Sequence, residues 1–349
     1  MNRLKRFVFN NYEFLKNILF KIKYNLVYLI KYFKIKKKSF DLLKNKTFLD
    51  KKIDTVIIAQ IQRSGGTLLS QLFDGHNQLA VHPAEVKIVD PKHDWSKRKN
   101  YILAYHKGRI RDACLTNIYR KSGPIHKNQN LVSGIPFEFD LYTQKFIFNY
   151  LKGKNVFQKF NNYMRSFFLS FDSYNQVLNN KKYFVGFIPN LINNKFSVEE
   201  FLLNFEDGYL ISIIRDPKSW LASATRHSRR FRDPKLALKY WKNNCLNTLN
   251  YKKKNEHRLI IIDFDDLVTE TERTMKKLCL ILNIEYSDKL LVPTFSDSKI
   301  QSNSSFKATE GFLDKSTLKR NVEKDILENN KDLIDECLHL KSQINNLKI

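Results

Sequence analysis

The chain has 349 residues, 42% of them apolar, enough to bury the core of one large α/β domain with decorations or of two small domains. Its 61 Lys and Arg against 35 Asp and Glu give a net charge of +26, which draws anionic partners: nucleic acid, anionic lipid, acidic glycan or phosphorylated nucleotide. Four scattered cysteines with no CxxC pair argue against a zinc ribbon or a disulfide-stapled secreted domain and for buried thiols, and no uncharged apolar run is long enough for a transmembrane helix.

Residues 1–52 hold 15 Lys or Arg and 3 acids. Over residues 1–38, Phe, Leu, Ile and Tyr alternate with Lys without proline or glycine, which predicts one or two basic amphipathic helices. Two readings stand side by side: a helix lying on an anionic membrane surface, or one that packs its apolar face on the domain and keeps its lysines in water. Lys21, Lys23, Lys31 and Lys34 interrupt the most apolar stretch, and no small-residue cleavage site follows, so a signal peptide is not indicated. The expectation is a cytoplasmic protein with peripheral membrane contact, residues 1–53 serving as leader and linker.

The character changes at Thr55. Thr55 to Ala59 is a β-branched apolar run that reads as a buried strand, Gln62 to Thr67 supplies a turn, and Leu68, Leu69, Leu72 and Phe73 recur at helical spacing. Residues 86–180, rich in Asn, Lys and aromatics, show no decisive period and are assigned to acceptor binding. Further strands are predicted from Tyr183, ending at Pro189, and over Tyr209 to Ile214. The second leads into Arg215-Asp216-Pro217 and a helix running to about Arg230, where Pro217 suits a first turn. Leu259 to Ile262 predicts one more strand, followed by a helix with Met275, Leu278 and Leu282 on one face, and Leu318 to Leu347 reads as a polar amphipathic helix. Alternating strands and helices predict an α/β fold with a mostly parallel central sheet flanked by helices.

A glycine loop between strand and helix brings backbone N–H groups and the positive end of a helix to an anion. The loop at 62–67 is not a Walker A sequence, because Gly66 is followed by Thr67 and Leu68 rather than by lysine and a hydroxyl residue. Arg215, at the end of a buried strand, and Ser223, about two turns into the next helix, can reach one phosphate from the carboxyl edge of the sheet. An ion pair between Arg215 and Asp216 is the plainer alternative.

The segments QRSGGTLL, IIRDPKSWLAS and DFDDLV, each at the end of a strand and in this order, resemble the family of sulfotransferases that use 3′-phosphoadenosine 5′-phosphosulfate (PAPS). The resemblance covers roughly residues 54–306 and includes Pro293-Thr294-Phe295 and Asn303-Ser304-Ser305-Phe306, similar to a family segment near the nucleotide. It implies a P-loop-like α/β sulfotransferase domain over 54–310, with 311–349 as a C-terminal helical segment. It also implies that Arg63, Ser64, Gly65, Gly66, Thr67 and Leu68 form the 5′-phosphosulfate loop, with Arg63 stabilising charge on the bridging oxygen. Arg215 and Ser223 match the holders of the 3′-phosphate, and Asn303, Ser304 and Ser305 join the nucleotide shell. Asp265 matches an acid taken as structural, capping a helix near Thr269 or Thr271, and the chemistry implied uses no metal.

The acceptor hydroxyl needs a general base within hydrogen-bond reach. Glu85 and His82, in Ala80 to Glu85, are the two candidates; Glu85 is preferred because a carboxylate beside arginines stays ionised at neutral pH. His76 reads as a capping residue. The chain departs from the pattern at Ile188, where many relatives carry a lysine, and Lys181, Lys182 or Lys195 are candidates to replace it. A basic, aromatic-rich stretch from Tyr101 to Arg120 suggests a hydroxylated acceptor that is a glycan or glycolipid, with a protein tyrosine or a small alcohol as the alternatives. The rival readings are a nucleotide-binding protein without catalysis and a basic nucleic-acid-binding protein. The second accounts for the charge but not for the loop and Arg/Ser arrangement.

Overall fold

Five strands form one sheet: β1 (Asp54–Ile58), β2 (Leu79–Glu85), β3 (Tyr183–Phe187), β4 (Tyr209–Ile214) and β5 (Leu259–Asp263), in the spatial order β2-β3-β1-β4-β5. Every pairing in it is parallel. This computed structural model describes residues 51–86, 141–169, 180–295 and 321–349, together with 33, 37, 39–41, 43, 44, 298, 299, 313 and 315–318. The expected leader helices over 1–38 lie almost wholly outside the described residues, and Tyr101 to Arg120 and Asn303 to Ser305 lie entirely outside them.

Side chains alternate across each strand, so the two faces recruit different helices. On one face Ile57, Phe184 and Leu210 pack with Phe160, Met164 and Phe167 of α3 (Val156–Leu169), which follows α2 (Leu141–Leu151), and with Val198 and Phe201 of α4 (Lys195–Asn204). On the other face Val56, Ile58, Ile211 and Ile262 pack with Leu69 and Leu72 of α1 (Gly66–Phe73) and with Met275, Leu278 and Leu282 of α8 (Thr271–Leu282). A third cluster joins Ile61, Ile214 and Ile261 to Trp220 of α5 (Pro217–His227), Trp241 of α6 (Pro234–Lys254) and Ile334 of α10 (Lys331–Asn345). The sheet is therefore covered on both faces, which suits near-continuous apolar strands.

Two boundaries differ from expectation, each for a local reason. The helix after Pro217 ends at His227, because Ser228 is extended and its hydroxyl accepts from the Arg230 N–H, starting a separate 3-10 turn over Arg229–Phe231. The C-terminal stretch is a 3-10 turn at Lys315–Leu318, α9 (Lys324–Asn329) and α10, with a break at Asn330. α10 packs along α6, and the tail beyond it donates the Ile349 N–H to the Ile261 carbonyl on the outer edge of β5 at 3.1 Å. Lys341 and Lys348 add ion pairs to Asp263 at 3.2 Å and to Asp266 at 2.6 Å.

Candidate functional site

β1 ends at the middle of the sheet, and the chain leaves it through Gln60 to Gly65 into α1. Arg63 (φ 70°) and Gly65 (φ 104°) both take left-handed backbone, which turns the chain sharply enough to present the helix N-terminus at the sheet edge. Phe264 and Phe187 press on the turn: a Cβ on Gly65 would lie 2.5 Å from Phe264, and one on Gly66 would lie 2.4 Å from Phe187. Both positions therefore exclude a side chain on packing grounds, and Gly65 on backbone grounds as well.

No side chain caps α1, and its first turn holds no acid. Its N-terminal amides and dipole are thus offered outward to an anion. Two arginines converge there. The Arg63 guanidinium donates from Nε to Ser223 Oγ at 3.0 Å, and Arg215 donates from Nη1 to the Arg63 carbonyl at 3.1 Å. Arg215 is buried, stacks 4.5 Å over the Phe264 ring, and also donates to the Thr317 carbonyl. Loop, strand end and α5 therefore meet at one place, and Arg63, Ser64, Gly65, Gly66, Arg215 and Ser223 surround it. The Asp216 carboxylate caps α5, accepting from the Ser219 N–H at 2.8 Å.

A buried polar network behind the loop was not foreseen from sequence. Gln60 donates to Ser64 Oγ at 3.2 Å and to Asn244 Oδ1 at 3.1 Å, while its own carbonyl accepts from Ser212 Oγ at 2.7 Å. Ser212 is also within 3.2 Å of Thr248 Oγ1. Trp220 adds a bond from its indole N–H to the Gln62 carbonyl at 2.8 Å. A polar residue inside an apolar run, such as Ser212 within β4, was the available signal: it must find a partner when buried.

Glu85 is paired with Phe187, level with Ile58 at the carboxyl edge, so its backbone stands at the loop end of the sheet. His82 lies within β2, 1% exposed, with Nε2 3.0 Å from the Tyr163 hydroxyl and its ring 4.4 Å from that of Phe167. His76 does not cap α1, whose C-cap is Asp74, but holds the turn beyond it: it accepts from the Gln78 N–H at 3.2 Å, its Nε2 lies 2.8 Å from the Glu285 carbonyl, and burial lowers its pKa.

Three further expectations are corrected. Asp265 does not cap a helix near Thr269 or Thr271; it sits in the first turn of α7 (Phe264–Thr269), which Asp263 caps by accepting from the Asp265 N–H at 2.8 Å. Lys181 and Lys182 cannot stand in for a cation at Ile188, because they precede β3 at the opposite end of the sheet and donate to the carbonyls of His76 and Asn283 at 2.7 Å each. Thr294 lies at the far end of α1 rather than at its loop, donating to Asp74 Oδ2 at 2.8 Å. Cys245, Cys279 and Cys337 are buried free thiols, and burial pushes Cys279 up to about 11 and Cys337 up to about 12.

A model described as the sulfotransferase family matches residues 55–288, which contain the loop, Arg215, Ser223 and Asp265. No curated protein matches the chain. Among solved structures, the sulfotransferase domain from the Synechococcus PCC 7002 olefin synthase superposes with a TM-score of 0.51 at 15% identity, over 82% of this chain and 96% of that one. The sulfotransferase domain from the curacin biosynthetic pathway gives 0.46 at 15% identity, over 85% and 99%. A sulfotransferase from Alicyclobacillus acidocaldarius gives 0.44 at 10% identity, over 84% and 96%. Likeness at such identities concerns the fold, and the first of the three carries it.

Proposed function

The chain belongs to the sulfotransferase family, and on that premise we propose that it moves the sulfuryl group of PAPS to a hydroxyl of a glycan or glycolipid by in-line transfer. The observation that carries this reading is the convergence of Arg63, Arg215 and Ser223 on an α1 N-terminus that no side chain caps. In it the loop from Arg63 to Leu68 receives the 5′-phosphosulfate on backbone amides, while Arg215 and Ser223 hold the 3′-phosphate. As the sulfur–oxygen bond breaks, negative charge grows on the bridging phosphate oxygen, and Arg63 is the cation beside it.

Glu85 takes the acceptor proton. What supports it over His82 is placement: its strand position is level with the end of β1, whereas His82 is walled into the core against Tyr163 and Phe167. Asn303, Ser304 and Ser305 complete the nucleotide shell in this reading. Residues 54–310 form the catalytic unit, 311–349 a helical segment packed on it, and the basic leader over 1–38 meets an anionic membrane from the cytoplasmic side. No described helix is long and apolar enough to cross a membrane.

The test is a calorimetric titration with 3′-phosphoadenosine 5′-phosphate (PAP), adenosine 5′-phosphate being the control. PAP binds and the control binds far more weakly; Arg215→Ala lowers PAP affinity about 10- to 100-fold, as loss of a charge-assisted contact does. Equal binding of the two nucleotides at moderate salt overturns the reading. A second reading, nucleotide binding without transfer, is favoured by one residue: Ile188 is 5% exposed where a lysine is usual, so no cation is supplied from that position. PAP binding with no turnover of PAPS on any hydroxylated acceptor would select it.

A further inference from the structure

Beyond Ser223 the chain runs into Arg226, Arg229, Arg230 and Arg232, and then Lys235 and Lys239 on the first turns of α6. All six are exposed, and none forms an ion pair among the described residues. Asp233 is the acid within this stretch, and its carboxylate accepts the Leu236 N–H at 3.1 Å to cap α6. Elsewhere on the surface lysines meet carboxylates, as Lys242 meets Glu336 at 2.5 Å and Lys276 meets Glu272 at 2.6 Å. Like charges left unneutralised repel one another, so this surface is held at a cost that a bound anion relieves.

The patch is fixed beside the reaction centre rather than hung on a free loop. Phe231 is buried in the 3-10 turn, with its ring 5.3 Å from Trp220 and 5.6 Å from Tyr240. The Arg230 guanidinium stacks 4.5 Å over Tyr240, whose hydroxyl donates to Asn190 Oδ1 at 2.6 Å, and the Asn190 N–H donates to the Gln60 carbonyl at 2.9 Å. Trp220 holds the other side through the Gln62 carbonyl. The arginine turn is thereby tied from both sides to the start of the loop, through Trp220 and through Asn190 beyond the end of β3.

Building on the PAPS-dependent reading above, we propose that this arginine turn is an acceptor subsite for an acidic oligosaccharide, one that carries carboxylate or sulfate groups near the hydroxyl to be modified. Guanidinium groups match such oxyanions by bidentate hydrogen bonding. Several cations within one short segment suit an acceptor with repeated charges. The nucleotide phosphates have their own ligands in Arg63, Arg215 and Ser223, which leaves these arginines to the other substrate. Single-stranded nucleic acid fits less well, because it is held by bases stacked on open aromatic faces. Here Phe231 is buried and Tyr240 lies beneath Arg230.

The experiment measures PAP binding and PAPS-dependent initial rates with two acceptors, a uronate-containing oligosaccharide and its carboxyl-reduced counterpart, for wild type, Arg229→Glu/Arg232→Glu and Arg229→Lys/Arg232→Lys. The uronate acceptor is the better substrate. The double glutamate variant raises its KM about 10-fold or more with kcat nearly unchanged, as loss of encounter and ground-state contacts does, and the lysine variant recovers part of it. PAP affinity stays within about twofold of wild type in both variants, which also shows that they fold. Equal rates with the carboxyl-reduced acceptor, an unmoved KM, or charge-dependent binding of single-stranded DNA in place of the uronate acceptor overturns the subsite while the nucleotide reading stands. Failure of the wild type to bind PAP overturns both.

Discussion

Helices α1 and α7 begin at the carboxyl edge of the same sheet, two strands apart, and touch through Gly65 and Phe264, yet their first turns are built oppositely. α7 supplies its own negative charge: Asp263 caps it, Asp265 and Asp266 occupy its first turn, and Lys341 and Lys348 balance the three acids. α1 starts on a left-handed glycine with no side-chain cap and no acid. A helix end that keeps its own carboxylates is closed to ligands, and one stripped of them is an opening. Under the proposed function, the difference separates a structural helix start from a binding one within a single fold.

The sharpest way to break the contrast is at the glycine. Gly65→Ala places a Cβ against Phe264 in a left-handed backbone, and is expected to lower stability by roughly 1–3 kcal/mol and to abolish measurable PAP binding, read by thermal unfolding and calorimetry. The next test makes α1 resemble α7. Thr67 is exposed in the first turn, so Thr67→Asp complements the helix dipole and stabilises the fold by about 0.3–1 kcal/mol while weakening PAP binding about 10-fold or more through like charge. Opposite movement of stability and affinity is the expected signature; a parallel loss of both would show that the helix end is not an anion site.

The reverse change strips α7. Asp263→Ala is expected to cost about 1 kcal/mol in denaturant unfolding with PAP affinity little altered, since the cap it removes faces Lys341 and not the loop. The smallest effect is at Asp265, whose carboxyl is raised above the usual 3.8 chiefly by burial, against the attraction of Lys341. The unfolded chain therefore ionises first as pH rises past 3.8, and the folded state carries the penalty once pH exceeds the raised value. Asp265→Asn is expected to be slightly stabilising at neutral pH, with the gain vanishing below pH 3.8, as paired denaturant curves would show.

The loop and four strands were legible because β-branched and apolar runs, glycine spacing and Pro217 act locally, whereas β2, with His82, Pro83 and Glu85 in it, was not read as a strand. Asp54–Ile58, Tyr209–Ile214 and Leu259–Asp263 emerge within a residue of their expected limits at each end. The strand order was not legible, since the insertion of β3 between β1 and β2 depends on contacts more than a hundred residues apart. The cap of α7 was misplaced for a related reason: three of the four residues from Asp263 to Asp266 are aspartates, and only backbone geometry decides which of them turns back on the helix. Arg215 and Ser223 were found by spacing along a helix, but the hydrogen bond from Arg63 to Ser223 and the placement of His82 against Tyr163 belong to tertiary packing.

The amide of Gln60 is wired in one sense. Its oxygen receives the Ser212 hydroxyl proton from within β4 and its nitrogen gives protons onward to Ser64 and Asn244. A glutamate there has the same outline and two receiving ends: the Ser64 hydroxyl must turn to donate, and the bond to Asn244 Oδ1 loses its donor. Shape is thus a poor guide to what this position tolerates: the loop is oriented by the polarity of its support, and an amide that cannot be reversed acts as a one-way key for the strand that carries it.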